Sequence, residues 1–245
     1  GTGLDAIDYH LTDPRLEPPT PGDDQGSDAP FRLPDTFWCY SPRAPDLAVR
    51  PLPALADGRV TFGCLNNFCK VNDPTLQLWA RVLLAVPGSR LLLLIPEGAL
   101  RQGTLKVLAN ASLNPDRVNF VDRQPREKYL SLYDGVDLGL DTFPYNGHTT
   151  SLDAYWMGVP VVTLVGRTGV SRAGWSQLFN LGLTELAAHT PDEFVAIATA
   201  LARDLARLAA LRASLRVRMQ SSPLMDAPRF ARGIAMNAYR FIGAP

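Results

Sequence analysis

The sequence predicts an α/β protein built on a parallel sheet, with helices on both faces and a helical C-terminal segment. From residue 60 onward, short apolar runs typical of buried strands alternate with stretches of helical periodicity. From residue 191 the apolar positions follow helical spacing alone. Parallel sheets of this kind bind ligands at the carboxyl ends of their strands. The predicted strands cover residues 60–65, 89–95, 118–121, 136–140, 161–165 and 185–187.

The first 57 residues differ in composition from the rest of the chain. Residues 6–11 predict a single strand. Residues 16–34 are rich in Pro, Asp and Gly without apolar periodicity, which predicts a loop or linker. Ten of the 21 prolines lie at or before Pro53. We therefore predict a boundary after residue 57, with the main α/β unit covering residues 58–245.

Helix signals follow several of the predicted strands. Asp73 and Pro74 form a good helix start, with the aspartate as the cap and the proline in the first turn. Three helices are predicted near the end of the chain, over residues 191–205, 208–220 and 226–241. Their leucines form an apolar stripe that predicts packing against the sheet, namely Leu201, Leu205, Leu208, Leu211 and Leu215.

Composition argues against several classes of function. Lys plus Arg and Asp plus Glu each number 24, so a broad electrostatic field for nucleic acid or an anionic membrane is not expected. The apolar run at residues 91–95 is far too short to span a bilayer and predicts a buried strand. Cys39, Cys64 and Cys69 form no CxxC pair, and no histidine pair has zinc spacing, which predicts reduced structural thiols.

The most informative stretch runs from Asp141 to Thr150, where a predicted strand leads into a glycine turn and two threonines open a helix. Gly147 allows the sharp turn. Thr149 and Thr150 present hydroxyls and backbone N–H groups at the positive end of the helix dipole, where a phosphate group is expected. Two simpler interpretations stay open, because Thr150 and Asp153 also fit a capping box and the Asn-Gly pair fits a plain turn.

Six segments along the chain carry a family resemblance, namely GTGLDAIDY, FGCLNNFCKVNDPTLQLW, RVNFVDRQPREKYL, DTFPYNGHTTSLDAYWMGVPVVTLVG, SRAGWSQLFNLGL and SSPLMDAPRFA. In this order they resemble the protein O-GlcNAc transferase family, including its SPINDLY-like bacterial members, which usually follow tetratricopeptide repeats. The resemblance covers nearly the whole chain and implies the C-terminal lobe of a two-lobed GT-B glycosyltransferase with a Rossmann-like sheet. Residues 1–57 would then hold the end of the preceding catalytic lobe plus a proline-rich linker, and residues 58–245 the nucleotide-sugar-binding lobe.

The resemblance implies a phosphate-binding set. In the family, the lysine at the position of Lys70 contacts the nucleotide diphosphate and stabilises charge on the leaving group. Asn67 stands where a phosphate-contacting glutamine is more familiar. His148, Thr149 and Thr150 match further phosphate contacts, and His148 joins Lys70 in the expected catalytic pair. Because no Asp-x-Asp follows a predicted strand, we expect neither a metal nor another cofactor.

The resemblance also implies a nucleoside-binding set after the predicted strand at residues 118–121. A backbone group at Gln124 would meet uracil, Arg126 the ribose, and the ring of Tyr129 would stack on the base. The family more commonly has lysine at the second of these positions and histidine at the third. Asp153 matches a ribose-binding acid, which competes with its place in a capping box.

The implied activity is inverting transfer of N-acetylglucosamine from UDP-GlcNAc to Ser or Thr hydroxyls of proteins, with this chain supplying the donor lobe. Three alternatives stay open. Protein O-fucosylation from a GDP-sugar is one, although members with that activity typically lack the histidine found here at His148. A non-catalytic nucleotide-sugar-binding module is the second. A sugar-nucleotide epimerase is the third, and it would need acid and base carboxylates that the sequence does not place.

The same resemblance implies the partners. We expect a UDP-sugar, protein or peptide acceptors, an N-terminal catalytic lobe and helical repeats upstream, with no nucleic acid and no membrane. The family and the cysteine usage favour a cytoplasmic location. We expect this chain to bind the donor but to transfer little sugar without the other lobe.

Overall fold

The computed structural model describes residue 4 and residues 6–21, 23, 28–44 and 47–242, with side chains described as far as residue 236. The strands are β1 (Tyr9–Thr12), β2 (Ala29–Arg32), β3 (Thr61–Cys64), β4 (Arg90–Leu94), β5 (Val118–Val121), β6 (Leu138–Leu140), β7 (Val161–Leu164) and β8 (Ala187–Ala188). The α-helices are α1 (Ala54–Asp57), α2 (Asp73–Ala85), α3 (Ala99–Asn110), α4 (Arg126–Ser131), α5 (Thr149–Trp156), α6 (Ala173–Leu181), α7 (Pro191–Arg203), α8 (Leu205–Gln220) and α9 (Ala227–Ile242).

Six strands form one parallel sheet in the order β5-β4-β3-β6-β7-β8. The chain therefore builds outward in one direction from β3 and in the opposite direction from β6. Because the connections that follow these two strands diverge, a crevice opens outside their carboxyl ends, where sheets of this type bind ligands. The loops after Cys64 and Leu140 begin at that crevice.

Helices cover both faces of the sheet, as predicted. On one face α2 packs against α3 and α7, and on the other α8 packs against α5 and α6. The predicted leucine stripe is confirmed, with Leu201, Leu208, Leu211 and Leu215 buried. Within the described part of the chain, every helix is too short or too polar to cross a membrane.

Arg212 on α8 is a buried cation with only backbone carbonyls as its hydrogen-bond partners in the described structure. Its exposed fraction is 1%. It donates to Arg50 O at 2.7 Å, to Val136 O at 2.7 Å and to Tyr133 O at 3.1 Å. Burial lowers its pKa, although the charges of nearby aspartates oppose that effect. One side chain thus connects α8, the segment before the main unit and the segment that leads into β6.

Three sequence predictions of secondary structure are wrong in detail. The cap of α2 is Asn72, whose side chain accepts from Thr75 N at 2.9 Å, and the predicted cap Asp73 is the first residue of the helix. Residues 16–34, expected to be a loop, contain β2, which pairs in parallel with β1. Pro30 within β2 hides the strand from propensity reasoning, but proline is tolerated in an edge strand because one side of such a strand needs no donors. The strand expected at residues 185–187 is instead a 3-10 turn at Thr184–Leu186, followed by the two-residue β8.

The described residues before position 58, called the linker from here on, pack against the main unit through Asp13, which is fully buried. Its carboxylate accepts from the backbone N–H groups of Arg15 and Leu16 at 2.8 and 2.9 Å. It also accepts from Phe37 N at 3.0 Å and from the Ser176 hydroxyl of α6 at 2.8 Å. These bonds place residues 37–44 beside the carboxyl edge of the sheet. The predicted boundary after residue 57 stays a prediction.

Candidate functional site

The loop after β3 carries Lys70 to the crevice between β3 and β6. Lys70 Nζ donates to the carbonyl oxygen of Asn146 at 2.9 Å and lies 3.9 Å from the centre of the Tyr145 ring. The side chain is half-buried, and this burial lowers the pKa of its ammonium group. A partly desolvated ammonium therefore lies at the predicted ligand edge, with one of its three N–H donors in use.

The loop after β6 is organised by Asp141, which is buried. Its carboxylate accepts from Gly147 N at 2.7 Å, Thr142 N at 2.8 Å and the Thr163 hydroxyl at 2.7 Å. Burial raises the pKa of this carboxyl to about 6, against the opposing effect of these hydrogen bonds. Asp141 therefore holds its own turn through the N–H groups of Thr142 and Gly147.

Gly147 is required by close approach of the chain to the helix that follows. A β-carbon built there would collide with the Ser151 hydroxyl and lie 3.1 Å from the Thr150 hydroxyl. The side-chain amide of Asn146, fully buried, donates to Thr142 O at 2.8 Å and holds the turn from inside. Only glycine at 147 therefore lets the turn lie directly over the start of α5.

The start of α5 offers donors to an anion. Its first intrahelical bonds run from Ser151 N and Leu152 N to His148 O. The N–H groups of Thr149 and Thr150 precede those bonds, so they face outward at the positive end of the helix. The Thr149 side chain is exposed, whereas the Thr150 hydroxyl donates to Asn66 Oδ1 in a short hydrogen bond. Of the two threonine side chains, the first is the one free to meet a ligand.

His148 lies between two aromatic rings at the first turn of α5. The rings of Trp38 and Tyr145 contact it edge-on, at centroid distances of 5.4 and 5.5 Å. Its Nε2 atom is buried and has no hydrogen-bond partner among the described residues. Burial, helped by the charge of Lys70, lowers the pKa of the imidazole to about 4. At neutral pH the ring is uncharged, and an unpartnered buried nitrogen suits a ligand.

A pH dependence of folding follows from His148. Because its pKa is lowered in the folded state, the unfolded chain binds a proton between about pH 6.5 and about pH 4 that the folded chain does not. We expect the wild type to lose stability relative to His148→Gln as the pH falls through this window. Urea unfolding of both proteins at several pH values measures the difference, with His189→Gln, an exposed site, as the matched control. An unchanged difference between wild type and variant would contradict the assignment.

Arg126 and Asp153 form a bidentate ion pair beside α5. Arg126 Nη1 donates to Asp153 Oδ2 at 2.7 Å, and Nη2 donates to Oδ1 at 2.6 Å. The Tyr40 hydroxyl also donates to Oδ1, at 2.8 Å. Asp153 is 2% exposed and its oxygens face these partners, so the capping-box interpretation for Thr150 and Asp153 is wrong. The predicted ribose pair is therefore brought together, and a linker residue joins it.

The other predicted residues lie around this pair with different degrees of freedom. Tyr129 is half-buried, with its hydroxyl 3.1 Å from that of Tyr133 and its ring edge-on to that neighbour. Gln124 is exposed in the loop before α4. Asn67 is exposed too, and its side-chain oxygen accepts from Cys69 N at 3.4 Å, which caps a 3-10 turn. Their contacts with base and phosphate stay predictions.

An open cleft of about 380 Å³ adjoins these groups, and most of its lining residues come from the linker. Sequence reasoning missed these linker residues, because proline-rich composition predicted only a connection. The signal that could have revealed them is the cluster of Phe37, Trp38 and Tyr40, since apolar rings are unusual in a solvated linker. The cleft is lined by Trp38, Cys39, Tyr40, Ser41, Arg43, Arg126, Thr149 and Leu152.

The described cysteines and acidic residues show no metal-site geometry. Within the residues that the structure describes, no three His, Cys, Asp or Glu side chains come together as a metal site. The three cysteines are free thiols, as expected. Cys64 is buried, but Cys39 and Cys69 are exposed, so the structural role predicted for all three fits Cys64 alone.

Comparison with solved structures defines the class. A mutant of the O-GlcNAc transferase of Thermobaculum terrenum superposes with a TM-score of 0.85 and 35% identity, over 98% of this chain and 45% of that one. The sucrose-phosphate synthase of Thermosynechococcus elongatus shares the fold, with a TM-score of 0.62 and 14% identity over 95% of this chain and 58% of that one. The parallel sheet with its covering helices is that of a GT-B glycosyltransferase.

Sequence comparison identifies the family. The profile of glycosyl transferase family 41 matches residues 41–234. A SPINDLY protein of Petunia hybrida, described as a probable UDP-N-acetylglucosamine–peptide N-acetylglucosaminyltransferase, is 41% identical over 237 residues, which are 95% of this chain and 25% of that protein. The chain belongs to glycosyl transferase family 41, and the resemblance noted from its motifs is confirmed. It spans about a quarter of the length of the curated relatives that it matches.

Proposed function

We propose that this chain is the donor-binding lobe of an inverting enzyme that moves N-acetylglucosamine from UDP-GlcNAc to Ser or Thr hydroxyls of proteins. The observation that carries the proposal is the convergence of Lys70, the unpartnered Nε2 of His148 and the first turn of α5 at the crevice between β3 and β6. The choice of N-acetylglucosamine as the sugar and of a peptide as the acceptor follows the activity that the names of the relatives give.

The chemistry fits these donors. Transfer from a nucleotide sugar expels a diphosphate, whose negative charge grows in the transition state. Lys70 supplies a full charge, and the N–H groups of Thr149 and Thr150 supply dipoles fixed by the helix. His148 supplies a neutral N–H donor when its proton is on Nε2. Because its pKa is lowered, the imidazole is not protonated at neutral pH and donates this hydrogen bond as an uncharged ring. Because these donors are already in place, they stabilise the transition state, in which the diphosphate carries more negative charge, more than they stabilise the bound substrate.

The nucleoside half of UDP is assigned to the cleft beside α4 and α5. There the Arg126–Asp153 pair meets the ribose hydroxyls, Tyr129 stacks on uracil, and the backbone at Gln124 contacts the base. Asn67 stays at the phosphate end, beside Lys70. This arrangement keeps the nucleoside away from the acceptor, which would approach with the opposite lobe.

The decisive experiment is a calorimetric titration of the 245-residue chain with UDP and GDP, paired with a transfer assay. We expect UDP to bind more tightly than GDP. A radiolabelled UDP-GlcNAc assay on a peptide acceptor should show little transfer by this chain and full transfer when the upstream lobe is added, because positioning two substrates needs both walls of the active site. Tighter GDP binding would favour the fucosyl alternative. No UDP binding would reject the donor-lobe assignment, and failure to transfer with the other lobe present would favour a binding module.

A metal-free mechanism gives a separate prediction. If Lys70, His148 and the start of α5 neutralise the diphosphate, then chelation should leave both UDP affinity and transfer by the complete enzyme unchanged. Titration and turnover in EDTA measure this. A loss of turnover that manganese or magnesium restores would contradict the mechanism.

We further propose that the upstream partners are an N-terminal catalytic lobe and helical repeats, and that the protein acts in the cytoplasm. The length of the relatives supports the first proposal, since this chain matches about a quarter of them. Size-exclusion chromatography of this chain with a separately expressed upstream lobe tests it, and cell fractionation tests the second.

A further inference from the structure

The linker reaches into the nucleoside half of the site at Tyr40 and Pro42. Tyr40 is 7% exposed, and its hydroxyl donates to Asp153 Oδ1 at 2.8 Å. Pro42 O accepts from Arg126 Nε at 3.1 Å and from Nη2 at 2.9 Å. Tyr40 thus holds the carboxylate assigned to the ribose, and Pro42 holds the guanidinium, which also makes a longer contact of 3.5 Å from Nη2 to the Tyr40 hydroxyl. Both linker residues lie more than eighty positions away in the chain.

A count of donors and acceptors shows what remains for a ligand. The guanidinium has five N–H groups, and its contacts with Asp153 and Pro42 use four of them, which leaves one on Nη1. Asp153 Oδ1 accepts two hydrogen bonds, whereas Oδ2 accepts one and keeps acceptor capacity. Burial and the charge of Asp153 raise the pKa of Tyr40, so its hydroxyl stays a donor.

The free groups match the chemistry of a diol. The ion pair is neutral as a unit, so it gives a phosphate no net attraction. A hydroxyl, by contrast, can donate to the carboxylate and accept from the guanidinium at once. To make both hydrogen bonds, the hydroxyl needs the Asp153 carboxylate to stay in one side-chain orientation. Tyr40 disfavours other orientations of this carboxylate, because its ring is buried and its hydroxyl donates to Oδ1.

We propose that Tyr40 is a positioning residue of the donor site, which holds Asp153, and through it Arg126, in the orientation that receives the ribose hydroxyls. This inference rests on the proposed function. It makes residues 38–43 a wall of the nucleotide site and gives the linker a direct effect on donor affinity.

The test is calorimetric titration of Tyr40→Phe and wild type with UDP, pyrophosphate and the 2′,3′-dideoxy analogue of UDP. The variant keeps the ring and loses only the donor. We expect UDP affinity to fall by about tenfold and pyrophosphate affinity to stay unchanged, because the phosphate donors lie elsewhere. The dideoxy analogue should bind wild type and variant equally weakly, since neither can use the hydroxyls it lacks. Tyr9→Phe on β1 is the matched control.

A structural role alone gives a different pattern. Equal loss of affinity for UDP and its dideoxy analogue, or no loss for UDP, would overturn the inference. If Tyr40→Phe lowers the melting temperature markedly, the titrations are run well below that temperature, where the variant is folded, and its preference for UDP over the dideoxy analogue should still be lost. If the wild-type chain binds no UDP, both the proposed function and this inference fail. If the wild type binds UDP and Tyr40→Phe binds it equally well, only the inference is rejected.

Discussion

UDP affinity is expected to fall by about 10- to 150-fold when Lys70 is replaced by alanine, because one charge-assisted contact contributes about 1.5–3 kcal/mol. The ammonium is already half-buried and fixed on Asn146 O, so little ordering is needed when a phosphate arrives. Calorimetry of the purified variant measures the loss, and turnover of the complete enzyme should fall by at least as much.

Uridine provides the internal control for Lys70→Ala, since it lacks the diphosphate and should bind the variant and the wild type alike. Lys106→Ala is the matched substitution, because this lysine is exposed on α3 away from the crevice. Unchanged UDP affinity in a folded Lys70→Ala variant would remove Lys70 from the site. A parallel loss for uridine would show instead that the substitution disturbs the fold of the loop.

Asp141→Ala is expected to lower the free energy of unfolding by about 3 kcal/mol. The substitution leaves three buried donors without an acceptor, and each such donor costs about 1–3 kcal/mol. Part of that cost is offset, because burial of the ionised carboxylate is itself unfavourable, which is why burial raises its pKa. Urea unfolding at neutral pH measures the difference.

Asp141→Asn is the sharper control because it keeps the shape and most of the hydrogen bonds. Its oxygen can accept from Gly147 N and Thr142 N, and its amide can donate to the Thr163 hydroxyl, which is able to accept instead. We expect a small loss at neutral pH. The wild type should also lose stability relative to Asp141→Asn as the pH rises from about 4 to about 6, since a raised carboxyl pKa favours the folded state only below that range. Asn at this position should remove that fall, and an equal loss for both variants would contradict this account.

The sheet and the loops at its carboxyl edge could be predicted from the sequence because both depend on local signals. Buried parallel strands need continuous apolar runs, and the turn at Gly147 needs a residue without a side chain. Parallel strands end at the same edge of a sheet, so the loops that follow them are expected to meet there. Lys70, His148 and Thr149 lie in or directly after such loops, and the sequence therefore predicts that they are neighbours.

The linker wall could not be predicted because its bonds join distant parts of the chain. Tyr40 meets Asp153 across 113 positions, and nothing in the surrounding residues indicates that partner. The same reason left Asp153 with two interpretations, since its local pattern fits a cap while its actual partners are Tyr40 and Arg126. The strand at Pro30 was missed because its pairing depends on β1 rather than on its own propensity.

Arg212 makes the folding of α8 inseparable from that of the sheet. A helix on a surface usually opens by local fluctuation, and its amides then exchange with solvent faster than those of the core. Here, local opening of α8 would break all three hydrogen bonds of the buried Arg212 guanidinium and leave three carbonyl groups on other segments without their donor. Exchange along α8 should therefore require the same opening event that exposes β6. The proposed donor site, which lies at the end of β6, gains a support that does not fluctuate separately from the strand.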